Sequence, residues 1–384
     1  MILKKTVSPR VMLFLFNTLE VGGAEYQAYL LAQYLKEKKL FTPVFIGLFA
    51  GGALVQMCQT GGIQCRTLNL RHGNIVQAIK TLRQFNPILI QAYTLYANVF
   101  AGLFWRHTSA SGFIWNQRDE GLLPAKKPKL FIMLLKYLIK KAVQQATLVI
   151  ANSPGSAKYI TQQGIPQKYI TIIYNGIQLK IPAHSKIYWQ KKIKLTAKPF
   201  VVAMIANLTR LKDHLGLLQA WREYLLLNPQ INSKLLLIGR KEEMTPEIEQ
   251  YIQENSLQSS VTIVGPVYDM SGVLSVIDMC VLASVSEGLS NVVLEAMAAG
   301  KIVAGYDIPG IALALGKANK QFLVRPKDYK QLAKVIATVA QHKNKLKPIG
   351  ARNQKRIRDN FSIIAMQQAS LAAIIKALAS GGSQ

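Results

Sequence analysis

Acidic side chains are scarce in this sequence: 19 Asp and Glu stand against 47 Lys and Arg, a formal charge of +28 on 384 residues. The deficit is uneven. Before Lys198 the only acids are Glu20, Glu25, Glu37, Asp119 and Glu120, and none occurs from Gly121 through Lys212. So one-sided a half sets up a positive field that draws polyanions: nucleic acid, anionic lipid or phosphorylated substrates. Cysteine is rarer still. Cys58, Cys65 and Cys280 form an odd, sparse set that argues against a secreted disulfide framework, fits a reducing cytoplasm and has no zinc-site spacing. They read as small buried hydrophobes. Long apolar runs are also missing. Val11–Phe16, after Lys4, Lys5 and Arg10, is too short for a signal-peptide core, and no small-residue cleavage site follows it. Ile88–Trp105 is broken by Gln91, Thr94 and Asn98, so it reads as a buried strand followed by a buried helix. No Gly-x-Gly-x-x-Gly, no Gly-x4-Gly-Lys-[Ser/Thr] and no Asp-x-Asp occurs, which disfavours a dehydrogenase, a P-loop ATPase or a carboxylate-held metal.

What is present is apolar material for two cores. Half the residues are hydrophobic and 17% are charged, and a chain of this length fits two domains. Only the Ser/Gly end after Ala379 reads as a disordered tail. Short apolar runs alternate with segments of helical period, the pattern of parallel sheets wrapped by helices. Strands are expected at Val11–Phe16, Val44–Leu48, Ile88–Gln91, Phe113–Asn116, Leu148–Ala151 and Ile170–Tyr174. Helices are expected at Ala24–Lys38, after Gly22-Gly23, and at Pro154–Gln163, capped by Asn152-Ser153. Lys180 to Pro199 reads as a connector. The alternation then restarts with strands at Phe200–Ala206, Lys234–Ile238, Val261–Val264, Met279–Ala283 and Ile302–Gly305. Helices at Asp213–Leu227, Ser290–Ala299 and Tyr329–His342 and a long one at Ser362–Leu378 complete it. The expected organisation is therefore α/β: domain 1–185, linker 186–199, domain 200–360, and a C-terminal helix 361–384 that crosses back to the first domain.

The most informative stretch is Ser284-Val-Ser-Glu287-Gly288-Leu289-Ser290-Asn291-Val-Val-Leu-Glu295-Ala-Met-Ala-Ala-Gly300. A strand ends near Ser284, a Gly-containing loop follows, and Ser290 is placed to cap a helix that Gly300 terminates. Ligands of open parallel sheets bind outside the carboxyl ends of strands, where this loop lies. Helix-start amides suit a diphosphate, and Glu287 and Glu295 can accept hydrogen bonds from sugar or ribose hydroxyls. An ordinary solvated loop carboxylate and a helix-surface carboxylate would show the same spacing.

The wording around the two acids strongly resembles glycosyltransferase family 4, retaining enzymes of the GT-B fold. Gly22-Gly23-Ala24-Glu25 looks like that family's first Gly-rich loop. Ala151-Asn152-Ser153 and Asn175-Gly176-Ile177 match two further signposts, and the segment Ala206 to His214 is similar to its basic donor-phosphate segment. The resemblance implies two Rossmann-like domains facing a central cleft. It places Glu295 on the nucleotide ribose, Glu287 on the transferred sugar, the amides of Gly288, Leu289, Ser290 and Asn291 on the phosphates, and Lys212 on the departing diphosphate. Gly22 and Gly23 would line the opposite wall, where a missing Cβ lets backbone approach a ligand. Three positions depart from the pattern. Asn207 stands where the family carries an Arg, with Arg210 a nearby substitute; Leu313 stands at a third acid, after Pro309-Gly310. The stretch where members place a His reads Trp115-Asn116-Gln117-Arg118-Asp119-Glu120. The implied activity is metal-independent, retaining hexosyl transfer without a cofactor, from a UDP-, GDP- or ADP-sugar, in cell-surface polysaccharide or lipopolysaccharide biosynthesis.

The acceptor is read from the basic half. Lys126-Lys127-Pro-Lys129-Leu-Phe131-Ile-Met-Leu134-Leu135-Lys136-Tyr-Leu138-Ile-Lys140-Lys141 combines apolar bulk with lysines, as an interfacial helix at an anionic membrane does. A buried helix with snorkelling lysines is the alternative. The expectation is a glycan or lipid-linked acceptor met at the inner face of the cytoplasmic membrane by a cytoplasmic, peripheral enzyme. Two other functions fit part of the sequence. A sugar-nucleotide 2-epimerase shares the bilobed architecture, and a nucleic-acid-binding protein would explain the charge. Against the latter, the lysines are not interleaved with base-stacking or groove-reading motifs, so no specific nucleic acid is expected.

Overall fold

The computed structural model describes residues 10–70, 74–121, 127–179, 181–195 and 198–381. Lys4, Lys5, Lys126, Lys180 and the Ser/Gly end past Gly381 lie outside these. The chain folds as two compact units. One takes the described residues up to Gly176 together with those from Ile364, and the other is Ile177–Ile363.

The first unit runs β1 (Val11–Thr18), α1 (Gly23–Glu37), β2 (Thr42–Ala50), α2 (Leu54–Thr60), β3 (Gln64–Thr67), α3 (Ile75–Gln84), β4 (Leu89–Ala92), α4 (Leu95–Phe104), β5 (Phe113–Gln117), α5 (Lys129–Val143), β6 (Leu148–Ala151), α6 (Pro154–Gln162) and β7 (Ile170–Ile172). Its strands pair in parallel in the order β3-β2-β1-β4-β5-β6-β7. A strand covered on both faces is apolar, and β1 is from Val11 to Phe16. Leu13 and Leu15 pack with Val44, Ile46 and Ile90 on one face. On the other, Phe14 stacks on Phe45 at 5.1 Å and Phe16 on Tyr93 at 5.3 Å. Ser153 caps α6 by accepting from the Ser156 amide at 3.0 Å, as its position before Pro154 predicts.

The second unit runs α7 (Lys186–Lys192), β8 (Phe200–Ile205), α8 (His214–Leu227), β9 (Ser233–Ile238), α9 (Thr245–Glu254), β10 (Val261–Gly265), α10 (Met270–Leu274), β11 (Met279–Leu282), α11 (Asn291–Ala298), β12 (Ile302–Tyr306), α12 (Pro309–Leu315), β13 (Leu323–Val324), α13 (Tyr329–His342) and α14 (Lys347–Asn360). Its sheet is parallel too, ordered β10-β9-β8-β11-β12-β13. Two Rossmann-like β/α/β domains are thus present.

The final helix, α15 (Ile363–Gly381), packs on the first unit from Ile364 onward. Met366, Ser370, Ala373, Ile374 and Ala377 are its buried positions, and Gln367 Nε2 donates to the Leu30 carbonyl at 3.4 Å. Among the described residues α15 is the one helix long and apolar enough to cross a membrane. Its buried residues recur every three or four positions, as in a helix laid along a domain.

The segment read from sequence as a linker, 186–199, is not free chain. Lys186–Lys192 is helical and Trp189 is only 2% exposed. Asp269 ties it down: its carboxylate accepts from Trp189 Nε1 (2.9 Å) and from the amides of Ala183 (3.1 Å), His184 (3.0 Å) and Gly272 (3.0 Å). The lysine-rich spelling hid this, because a single buried Trp carries the docking. Burial would raise the Asp269 carboxyl, but hydrogen bonds from Trp189, Ala183, Gly272 and His184 outweigh it and hold the group at about 2. A carboxyl depressed from 3.8 contributes stability above that value, and loses it as pH falls through about 2. Asp269→Asn offers one acceptor oxygen to four donors, and we expect it to destabilise the protein by about 1–3 kcal/mol in urea unfolding at neutral pH. That difference should shrink as the pH is lowered below 3.8.

Candidate active site

In the second sheet β8 has β9 on one side and β11 on the other, so the connections reverse direction between β8 and β11. The crevice outside the carboxyl ends at such a reversal is where open α/β sheets bind ligands. The loop leaving β8 carries Lys212 and the loop leaving β11 carries Glu287, and the two side chains form an ion pair across that point. The loops are also stitched by backbone: the Val285 amide donates to the Leu211 carbonyl at 2.9 Å.

Local geometry aims the cation. Arg210–Lys212 is a single 3-10 turn, and Asp213 behind it adopts φ 47°, ψ 49°, a left-handed conformation that Asp tolerates better than most residues. From there Asp213 caps α8 by accepting from the Gly216 amide at 3.2 Å, while Tyr306 donates to its other oxygen at 2.8 Å. His214 follows, buried. Desolvation pushes its imidazole down to about 4, so it is neutral at physiological pH and leaves Lys212 as the cation paired to Glu287.

The acid-bearing helix differs from expectation at its start. Ser290 is the residue before α11, but its hydroxyl makes no capping bond. The residue is buried, 8% exposed, and its side chain is not spent on the first turn. Gly300 ends the helix as expected, at φ 70°, a conformation suited to glycine. Gly288 and Leu289 are buried in the approach to α11, and Asn291 is its first residue. Glu295 sits one turn in, keeping some exposed surface. Desolvation pushes its carboxyl up to about 7.

A contact that sequence reasoning passed over comes from α12. A Cβ on Gly310 would run into the carbonyl oxygens of Glu287 and Gly288, so the helix backbone lies directly against the acid-bearing loop. The signal was the Pro309-Gly310 pair, read only as a departure. Asn207 and Arg210 do not join the ion pair. Asn207 Oδ1 accepts from the Arg240 amide at 3.1 Å, bracing the loop after β9, and Arg210 is exposed with its amide donating to Glu243 at 3.1 Å. At Leu313 no carboxylate is offered; its carbonyl accepts from Arg356 at 2.7 Å. Gly22 and Gly23 begin α1 in the first unit. Gly22 has φ −128°, which any residue adopts, and the nearest atom to a Cβ there would be the Glu25 carboxylate. Among the described residues no group of three or more His, Cys, Asp or Glu side chains is arranged to hold a metal.

The raised Glu295 carboxyl has a definite sign. The folded state keeps a proton that the unfolded chain gives up from about 4.5, so stability falls as pH rises from 4.5 through about 7. Glu295→Gln, which stays neutral, should melt at the wild-type temperature near pH 4.5 and above it once the pH exceeds 7. Equal melting at both ends would mean the carboxyl is not held in this state.

The chain matches known proteins along most of its length. Residues 21–180 match the description Glycosyltransferase Family 4, and residues 199–342 match Glycosyl transferases group 1. It is 24% identical over 296 residues to the capsular polysaccharide biosynthesis glycosyltransferase CapM of Staphylococcus aureus, covering 75% of this chain and 77% of that one. It is 26% identical over 314 residues to the N,N'-diacetylbacillosaminyl-diphospho-undecaprenol alpha-1,3-N-acetylgalactosaminyltransferase of Campylobacter jejuni, covering 78% and 80%. The crystal structure of Anabaena Alr3699/HepE in complex with UDP and glucose superposes with a TM-score of 0.81 at 21% identity, over 95% of this chain and 99% of that one. The two parallel β/α/β domains and these matches identify the chain as a glycosyltransferase of the GT-B fold, related to family 4 and to the group 1 glycosyl transferases.

Proposed function

We propose that this enzyme moves a sugar, with retention of anomeric configuration, from a nucleotide-sugar donor to a glycan or lipid-linked acceptor of cell-surface polysaccharide biosynthesis. The observation that carries the donor half is the meeting of Lys212, Glu287 and the start of α11 at the carboxyl edge of the second sheet. There the amides from Gly288 to Asn291, leading into α11, take the diphosphate, Lys212 neutralises it as it departs, and fixed groups of this kind need no reorganisation during the reaction. Glu287 holds the transferred sugar and Glu295 the ribose. Both accept hydrogen bonds from hydroxyls, and a Glu295 poised near 7 ionises when a diol donates to it. Front-face attack assisted by the leaving phosphate fits a site whose acids are engaged with hydroxyls. The HepE structure, described as holding UDP and glucose, supports a uridine donor. A thermal-shift panel of UDP-, GDP- and ADP-glucose should show one base raising the melting temperature through mass action. Glu295→Ala should abolish that rise, and a panel with no response to any donor would sink the reading.

The acceptor half rests on α5. Leu130, Met133, Leu134 and Tyr137, spaced as one helical stripe, are 77%, 67%, 55% and 57% exposed. Leu135, Ile139, Ala142 and Val143 make the buried stripe on the opposite side. A buried helix with snorkelling lysines would not leave that apolar row outside. Lys129, Lys136, Lys140 and Lys141 are exposed on the same helix, and no acid lies on it. Apolar bulk bordered by lysines suits an anionic bilayer surface. The CapM and diphospho-undecaprenol relatives, by their names, work in capsule and lipid-linked glycan synthesis, which agrees with a membrane-borne acceptor at the inner face of the cytoplasmic membrane. In flotation, the protein should rise with phosphatidylglycerol vesicles and stay down with phosphatidylcholine. Met133→Gln with Leu134→Gln should weaken recovery, and equal recovery from both lipids would overturn the assignment.

A further inference from the structure

The first unit has its own reversal point, between β1 and β4, and a cation stands beside it. Arg118 leaves the carboxyl end of β5, and its guanidinium lies over the ring of Tyr93, which leaves the end of β4, at 5.7 Å from the centroid. That is within reach of a cation–π contact, which fixes the plane of the guanidinium. Arg118 is half-buried. Its Nε is buried without a hydrogen-bond partner, and among the described residues no carboxylate is hydrogen-bonded to the group. Burial pushes the guanidinium below its ordinary value, with Tyr93 and Glu25 acting through space in the other direction. The neighbouring acid does not serve it directly: Asp119 Oδ1 accepts from Gln117 Nε2 at 2.7 Å and from the Gly121 amide at 2.8 Å. A second unmatched group lies near. Gln91, 1% exposed, has an Oε1 without a donor, and it lines with Arg118 and Tyr93 a small cavity walled also by Leu31, Ile150, Ile173 and Met366.

Charge taken out of water is costly unless an opposite charge meets it. Packing explains how Arg118 is held in place but leaves its hydrogen-bonding capacity unused. A guanidinium presents a planar fork of donors that matches a phosphate or carboxylate.

We propose that Arg118 is an oxyanion-binding residue of the first unit, anchoring a phosphate or carboxylate carried by the acceptor. That the oxyanion belongs to an acceptor rests on the transfer reading above; the existence of the site does not. Arg118 therefore selects acidic acceptors, such as a phosphorylated or uronic sugar, over neutral ones.

The test uses the full chain carrying Lys212→Ala and Glu295→Ala, so that phosphate binding in the second unit does not interfere. Methyl phosphate, acetate and, at matched ionic strength, chloride are titrated while the arginine Nε signals are followed by nitrogen-15 NMR. Arg118 is assigned as the signal missing from an Arg118→Lys sample. The expected result is a saturable shift of that signal with methyl phosphate or with acetate, whichever the site prefers, and none with chloride. Arg118→Gln should then weaken binding of the preferred anion by about tenfold or more. A signal unmoved by both oxyanions, or moved equally by chloride, would overturn the proposal, as would a folded Arg118→Gln protein that binds as tightly. The shift is read in protein that retains Arg118, so it does not depend on how the variant folds. The donor panel reads the other unit, so failure of one leaves the other standing.

Discussion

The ion pair between Lys212 and Glu287 is the contact around which the second unit is arranged. Each partner comes from the loop of a different strand, and only a sheet that reverses its connections between β8 and β11 brings those loops side by side. The surrounding features hold this pair. Asp213, with its left-handed backbone, fixes the turn that carries Lys212. Tyr306 fixes Asp213 from β12. Gly310 lets α12 close against the carbonyls of Glu287 and Gly288. Neighbouring strands thus converge on one cation and one anion.

The electrostatics of the two units differ in kind. In the second, opposite charges meet and one carboxyl, Glu295, is held near neutrality by desolvation alone. In the first, acids are few and Arg118 is half-buried with an unpartnered Nε. Burial of an unsatisfied polar group weakens a fold, and such groups stand at the carboxyl edges of both sheets. The apolar strands behind them, packed on both faces, offset that cost.

Legibility in the sequence followed the size of the local signal. Strands with continuous apolar runs, such as Leu148–Ala151, and helices with clear caps and period, such as Tyr329–His342, appear at their expected bounds. The edge strand Gln64–Thr67 went unread because it reads Gln-Cys-Arg-Thr, with no apolar run to mark it. Lys186–Lys192 went unread because its burial depends on Trp189 and on an aspartate some eighty residues away in sequence. Ser290 shows the limit of cap rules: its position before α11 was legible, but whether its hydroxyl turns onto the helix was not.

By itself the sequence determined the two parallel β/α series, the acid-bracketed turn from Glu287 to Glu295 and the family likeness, because strand and helix periods and motif spacing are local properties of the chain. The tertiary structure decided which of those residues meet. It joined Lys212 to Glu287 and set Asn207 to bracing a neighbouring loop. It also raised Glu295 to about 7 and laid Arg118 over Tyr93. Pairing and desolvation depend on what lies across a sheet edge, which no spacing along the chain encodes.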